Sequence, residues 1–127
     1  MPGRIVSSFI HAIEQRDLSA ALDHLSPEVE YDNVPMGKVH GRDAVESVLA
    51  PFIAPFDTIE WVVHHQVEQG DRWAGVVMNE RIDRFGRGGH WMELPVAGLF
   101  IVEQGLIVVW RDYFDRDTLL QQMASST

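Results

Sequence analysis

The chain has 127 residues, the size of one domain, and a chain of that length buries roughly two-thirds of its extended surface, enough for a core and a pocket. Ten Lys and Arg against nineteen Asp and Glu give a formal charge of -9, and the basic residues are scattered rather than gathered in a stripe or arm, which argues against nucleic acid as a partner. There is no Cys for a disulfide, a thiolate nucleophile or a Cys-ligated zinc, no apolar run near the roughly 18 residues of a membrane span, and no charged start leading into an apolar segment and cleavage site; the chain is expected to be soluble and cytoplasmic, with no membrane partner.

Val6, Phe9, Ile10 and Ile13 repeat at helical spacing, and Asp17 then precedes Leu18, Ala21, Leu22 and Leu25 before Ser26 and Pro27 stop the pattern. Two short amphipathic helices are predicted. Val29 to Val34 reads as a strand that ends at the loop Pro35, Met36, Gly37. Gly41 leads into a helix carrying Ala44, Val45, Val48 and Leu49, with Pro51 and Pro55 bracketing its end.

From Thr58 onward the pattern turns to long β-rich runs: Thr58 to Glu68, Trp73 to Phe85, Trp91 to Val102 and Leu106 to Phe114. Gly70 with Asp71, Gly86 to Gly89, and Gln104 with Gly105 supply turns short enough for antiparallel neighbours. Asp115 is placed to cap a last helix through Leu119, Leu120 and Met123. No repeat or linker divides the chain, so residues 1–127 are expected to form a single α+β domain. Its N-terminal helices would pack on one face of a curved, mainly antiparallel sheet, making a cone around a deep apolar pocket.

Strand alternation assigns side chains to faces. On the last strand Val108, Trp110, Asp112 and Phe114 share one side, and Ile107, Val109, Arg111 and Tyr113 the other. One helix layer covers one face only, so the second apolar face calls for a partner, most simply a second copy of the chain in a homodimer.

The informative residues are ionisable groups in phase with the apolar lining. Arg81 and Asp83 share the odd positions of their strand with Trp73, Val77 and Phe85, and Asp112 lies between Trp110 and Phe114. A guanidinium between two carboxylates can tolerate burial because its fork holds both acids. The acids would titrate as a coupled pair, one staying protonated near neutral pH, which gives one site a proton donor and a proton acceptor. Alternation alone leaves open that the three form surface salt bridges at edge positions. Tyr31 and Asn33, two apart on a strand, could offer a hydroxyl and an amide to one water molecule, or simply mark a strand end entering a turn.

As a set these residues carry a resemblance. The segments Tyr31-Asp32-Asn33-Val34-Pro35-Met36-Gly37, Asn79-Glu80-Arg81-Ile82-Asp83, Leu94-Pro95-Val96-Ala97-Gly98-Leu99-Phe100 and Trp110-Arg111-Asp112-Tyr113-Phe114-Asp115 resemble the limonene-1,2-epoxide hydrolase family, in the family's order, and the likeness extends from Val6 to Leu120. The resemblance implies a nuclear-transport-factor-2-like cone, a homodimer, and neither metal nor cofactor. It implies Asp112 as the general base taking a proton from water, with Tyr31 and Asn33 holding that water. It implies Asp83 as the general acid protonating the epoxide oxygen, and Arg81 as the bridge between the carboxylates. The pocket walls would include Trp110, Phe114, Phe85, Leu94 and Val96, with Ile10 and Ile13 from the first helix, and residues 41–57 would shape the mouth. The partners expected are a small apolar epoxide and water, the product a vicinal diol.

Rival readings differ at named residues. A nucleophilic-carboxylate epoxide hydrolase needs a much larger α/β-hydrolase scaffold and a nucleophile elbow that is absent. The six His form no His-Glu-x-x-His motif, and adjacent His64 and His65 would point to opposite faces of a strand. A ketosteroid-isomerase-like or polyketide-cyclase-like enzyme of the same fold also places Asp and Tyr in an apolar pocket, but does not call for Arg81 between two Asp. A non-catalytic apolar-ligand binder gains little from two buried acids.

Overall fold

The computed structural model describes residues 1–125. The elements run α1 (Gly3–Glu14), α2 (Leu18–Leu22), β1 (Leu25–Asn33), β2 (Gly37–His40), α3 (Arg42–Ile53), β3 (Thr58–Gly70), β4 (Ala74–Arg87), β5 (His90–Glu103), β6 (Leu106–Tyr113) and α4 (Arg116–Ser125). The strands form one six-stranded sheet in the order β2-β1-β6-β5-β4-β3. β3 to β6 are an antiparallel meander, β1 lies parallel to β6, and β2 folds back on β1. The sheet ends at β2 on one side and β3 on the other, so it curves without closing. This is the α+β architecture expected from the pattern.

The cap predicted at Asp115 forms, and Asp17 makes a second one. The Asp17 side chain accepts from the N–H of Ala20 at the start of α2, and Asp115 accepts from the N–H and the hydroxyl of Thr118 at the start of α4. α1 instead is held from across the fold: Gly3 N–H donates to Oε1 of Glu68 on β3 at 3.3 Å. A β-carbon at Gly3 would collide with that carboxylate. Val6, Phe9, Ile10 and Ile13 of α1 join Leu25, Val29, Phe100 and Trp110 in the core on the concave face of the sheet. Phe9 meets the ring edges of Phe100 and Trp110 at centroid distances of 6.4 and 4.9 Å. Filling such a position is worth about 3–5 kcal/mol relative to Ala.

Four details depart from the expected layout. Leu25 opens β1 rather than closing α2, because it pairs with Ile107 of β6, whose N–H donates to the His24 carbonyl. Pro27, which has no N–H to offer a ladder, falls where that pairing shifts register between Leu25 and Glu30. The stretch after Met36 is β2, a strand of four residues. Pro51 lies inside the last turn of α3, which continues to Ile53.

The departure with most consequence is in β6. Val102 pairs with Ile107 and Ile101 with Val109, so Val108 is an extra residue that breaks the alternation. Ile107 is thereby fully buried with the core, and the expectation that it shares the outer face with Val109 and Tyr113 is corrected. The outer face keeps its apolar character through other residues, including the exposed Val76, Met78 and Tyr113.

Candidate active site

Alternation along β4 turns Val77, Asn79, Arg81, Asp83 and Phe85 to the concave side, and all are buried. Neighbouring strands complete the group by register. Asp83 pairs with Trp61 on β3, Asn79 with Gly98 on β5, and Gly98 in turn with Asp112 on β6. The parallel pairing of β1 with β6 sets Asn33 beside Asp112 and Tyr31 beside Trp110. Val34 N–H donates to the Asp112 carbonyl at 3.0 Å and fixes that contact.

Arg81, Asp83 and Asp112 are 1%, 4% and 5% exposed. Arg81 donates from Nε to Asp83 Oδ1 at 2.7 Å and from Nη2 to Asp83 Oδ2 at 3.2 Å, and a further bond from Nη2 reaches Asp112 Oδ2 at 2.8 Å. Its Nη1 donates to Asn79 Oδ1 at 3.0 Å. The guanidinium lies 4.9 Å from the Trp61 ring and 5.8 Å from that of Phe100, close enough for cation–π attraction. Such pairing is what makes a buried charge tolerable. The group is therefore a built polar cluster in an apolar wall, and the surface salt-bridge reading of these residues does not apply.

Burial pushes the Asp83 carboxyl up to about 7; the positive charge of Arg81 opposes the rise and the negative charge of Asp112 adds to it. Burial opposes the charge on Arg81 as well, but Asp112 and Asp83 hold it protonated more firmly than an ordinary arginine. Burial also keeps Tyr31 a neutral phenol, with Asp112 pushing the same way. Asp112 Oδ1 is buried and accepts no hydrogen bond from the protein. The cluster thus holds one carboxyl able to carry a proton at neutral pH and, on Asp112, an oxygen with acceptor capacity to spare.

Above it lies a cavity of about 270 Å³. Tyr31, Asn33, Asp83 and Asp112 are its polar surface, with Arg81 behind them and out of contact with it. Phe85, Leu94 and Val96 from the sheet and Phe114 after β6 line it, as expected. α3 contributes Val48, Leu49, Phe52 and Ile53, so residues 41–57 do form wall. Trp110, Ile10 and Ile13 do not line it. They pack in the core behind it, where Trp110 stacks on Tyr31 with centroids 3.9 Å apart and orients the phenol.

Sequence reasoning missed Asn79, Trp61 and Gly98, along with Met36 and the α4 residues Leu119 and Met123 that close the cavity. Asn79 shares the odd parity of Arg81 and Asp83 and was legible by the same rule. At Gly98 a β-carbon would fall inside contact distance of Arg81 Nη1 and 3.0 and 3.1 Å from Asn79 Oδ1 and Asp112 Oδ1, a demand visible only once the strands are paired. Among the described residues no three His, Asp or Glu converge as metal ligands, and no helix is long and apolar enough to cross a membrane.

Residues 1–125 match the family of the limonene-1,2-epoxide hydrolase catalytic domain. Epoxide hydrolase EphG of Mycobacterium tuberculosis is 28% identical over 110 residues, which cover 87% of this chain and 70% of that protein. The solved structure of an M. tuberculosis LEH-like epoxide hydrolase superimposes with a TM-score of 0.76 at 25% identity, covering 96% of this chain and 88% of the other. A hypothetical protein from Catenulispora acidiphila with a ketosteroid isomerase-like fold, solved with trimethylamine, gives a TM-score of 0.79 at 18% identity over 98% and 95% of the two chains. That last likeness concerns the fold alone, the one that nuclear-transport-factor-2-like proteins share.

Proposed function

We propose that this chain, which belongs to the limonene-1,2-epoxide hydrolase family, opens a small apolar epoxide with water in one step, Asp112 serving as base and Asp83 as acid. The observation that carries the reading is Arg81 clamped between two buried carboxylates behind an apolar cavity. An isomerase or cyclase of the same fold has no need of that clamp, and a simple ligand binder has no use for the two acids it holds.

The parts suit the reaction. Tyr31 and Asn33 offer a hydroxyl and an amide beside Asp112, three groups that can hold one water molecule. Asp112 takes a proton from that water as its oxygen attacks one epoxide carbon from the side opposite the breaking C–O bond. Asp83, with its carboxyl pushed up to about 7, gives a proton to the departing oxygen. The diol leaves with inversion at the attacked carbon. Each acid or base contributes about 10²- to 10⁴-fold, and a water held in line contributes further. The pair carries the same number of protons before and after turnover, so resetting the site only moves a proton between groups that Arg81 already joins.

The walls support a substrate with one oxygen function and an apolar body, since every polar group of the cavity is gathered at Tyr31, Asn33, Asp83 and Asp112. The exposed Val76, Met78 and Tyr113 on the outer face support a homodimer in which a second copy covers them. Light scattering at micromolar concentration should give twice the 14.4 kDa chain mass; the chain mass alone would remove that part of the reading.

The mechanism is tested by a single turnover with enzyme in excess in oxygen-18 water. A base leaves its own oxygens untouched, so every diol molecule should gain one label and Asp112 none. A nucleophilic Asp112 would form an ester whose hydrolysis gives the first diol ordinary oxygen and leaves label in the peptide containing Asp112. That outcome overturns the one-step mechanism, and absence of diol from cyclic, aliphatic and aryl epoxides alike overturns the activity.

A further inference from the structure

Arg81 is held from a third side. Its Nη1 donates to Asn79 Oδ1 at 3.0 Å, Asn79 Nδ2 donates to Gln66 Oε1 at 3.3 Å, and Gln66 Nε2 donates to Glu68 Oε2 at 3.3 Å. The other oxygen of Glu68 accepts from Gly3 N–H in the first turn of α1. Every bond in this line points the same way, from a cation through two amides to a carboxylate. Aligned bonds polarise one another, so each strengthens the next. Cross-strand pairing of Gln66 with Asn79 sets the middle link, and the missing β-carbon at Gly98 leaves the space that Nη1 and Asn79 Oδ1 occupy.

We infer that Asn79, backed by Gln66 and Glu68, is a positioning residue for the reaction: it holds the Arg81 guanidinium from the side away from Asp83 and Asp112, so that one cation stays divided between two acids. Asn79 touches neither the cavity nor the reacting atoms. Its part is to stop the fork from turning wholly toward one carboxylate. A neutral amide suits the position because it accepts the Nη1 hydrogen bond without competing for the cation's charge. The titratable and charged groups facing the pair are Arg81 on the same strand and Tyr31 on β1. β5 presents Gly98, Leu94 and Val96 there, β3 presents Trp61, and α3 and α4 present only apolar residues. A charge introduced at residue 79 would also meet Glu68, one amide away through Gln66.

The inference rests on the proposed epoxide hydrolysis, so its test is read in two ways, one of which needs no substrate. Asn79→Leu removes the acceptor at similar size, and kcat should fall at least about tenfold with KM within a few-fold, as misplacement of a catalytic group does. Asn79→Asp keeps an acceptor for Nη1, loses the donor to Gln66 and adds a charge. By competing for the cation it should raise the carboxyl carbon-13 titration of Asp83 and Asp112 in the unliganded protein by about one pH unit, as any negative charge placed there would, and kcat should stay below wild type. In Asn79→Leu, which adds no charge, the same titration and the pH optimum of turnover should also move, because the fork then turns toward one acid. A part confined to holding the fold together would lower the melting temperature of Asn79→Leu and leave its titration and optimum in place. That result, or turnover within twofold of wild type for Asn79→Leu, overturns the inference. If Asn79→Leu fails to fold, Gln66→Leu, which removes the acceptor behind Asn79 without adding a charge, decides by the same titration. If wild type turns over no epoxide, the activity is wrong, while the unliganded titration still decides what Asn79 does.

Discussion

Two of the three arginines on β4, three residues apart, are each set between two carboxylates and each beside a tryptophan ring. On the concave face Arg81 bonds Asp83 and Asp112 beside Trp61. On the outer face Arg84 bonds Glu60 at 3.1 Å and Glu93 at 3.2 Å, with its guanidinium 4.2 Å from the centre of the Trp91 ring. In kind the two clusters are nearly the same. They differ in water: the side chains of Arg81, Asp83 and Asp112 are 0%, 5% and 6% exposed, those of Arg84, Glu60 and Glu93 28%, 43% and 57%. Solvent screens the outer charges and leaves their pairing worth little, whereas the inner charges act at full strength on one another. An arginine with two acids is therefore not a site by composition. Burial beneath a cavity is what makes the inner cluster the candidate.

The largest effect that separates the clusters is on turnover. Asp112→Asn keeps the size of the side chain and loses the ability to take a proton, so kcat should fall by about 10²- to 10⁴-fold. Asp83→Asn should fall as far for the opposite reason, because an amide does not protonate a leaving oxygen. Glu60→Gln and Glu93→Gln make the same chemical change on the other face and should leave kcat within twofold. Equal losses on both faces, measured by initial rates of diol formation, would break the comparison.

Stability comes next. Arg81→Ala leaves two buried acids without their cation and should cost about 3–5 kcal/mol at neutral pH, against about 0–1 kcal/mol for Arg84→Ala, both read from denaturant midpoints. The inner deficit should also depend on pH. Without Arg81, burial raises the folded-state values of the acids above their unfolded values, so the folded form binds more protons and stability declines as pH rises between the two. The gap between the variants should therefore narrow in acid and widen toward neutrality. A gap independent of pH would mean that lost packing, not stranded charge, is the cost.

How much of this was legible follows from the same strand. Alternation put Arg81 and Asp83 together and left Arg84 on the other side, and the resemblance joined them to Asp112, Tyr31 and Asn33. Alternation cannot say which face water reaches when both carry apolar residues, as Val77 and Phe85 do on one side and Val76 and Met78 on the other. That is decided by α1 and α3, which pack over the concave face. The order β2-β1-β6 was not legible either, since nothing local marks β1 as a parallel neighbour of β6. Nor was the extra residue Val108, a backbone event that turned Ile107 inward. The resemblance implies Trp110, Ile10 and Ile13 as pocket wall, and parity cannot test that, since it gives a face but not a depth. In the structure they fill the layer behind the cavity, where Trp110 stacks on Tyr31.

The smallest expected effect is the pH profile, and it sharpens the comparison without altering a residue. Asp83 must carry a proton to act as acid. Burial pushes its carboxyl up to about 7, against the pull of Arg81 and with the added push of Asp112. A group raised in this way is protonated below that value and ionised above it, so turnover should be retained up to near neutrality and fall about tenfold for each further pH unit. On the acid side the rate should also fall, once the carboxylate serving as base takes up a proton. The two limbs belong to the pair rather than to either acid, because ionising one alters the other. Glu60 and Glu93 lie on the other face of the sheet, away from the cavity, so their Gln variants should leave both limbs where they are. With chemistry rate-limiting, a profile flat from about pH 5 to 9 would show that no proton is shared between Asp83 and Asp112, and the inner cluster would then be a buried ion pair of the same chemical use as the outer one.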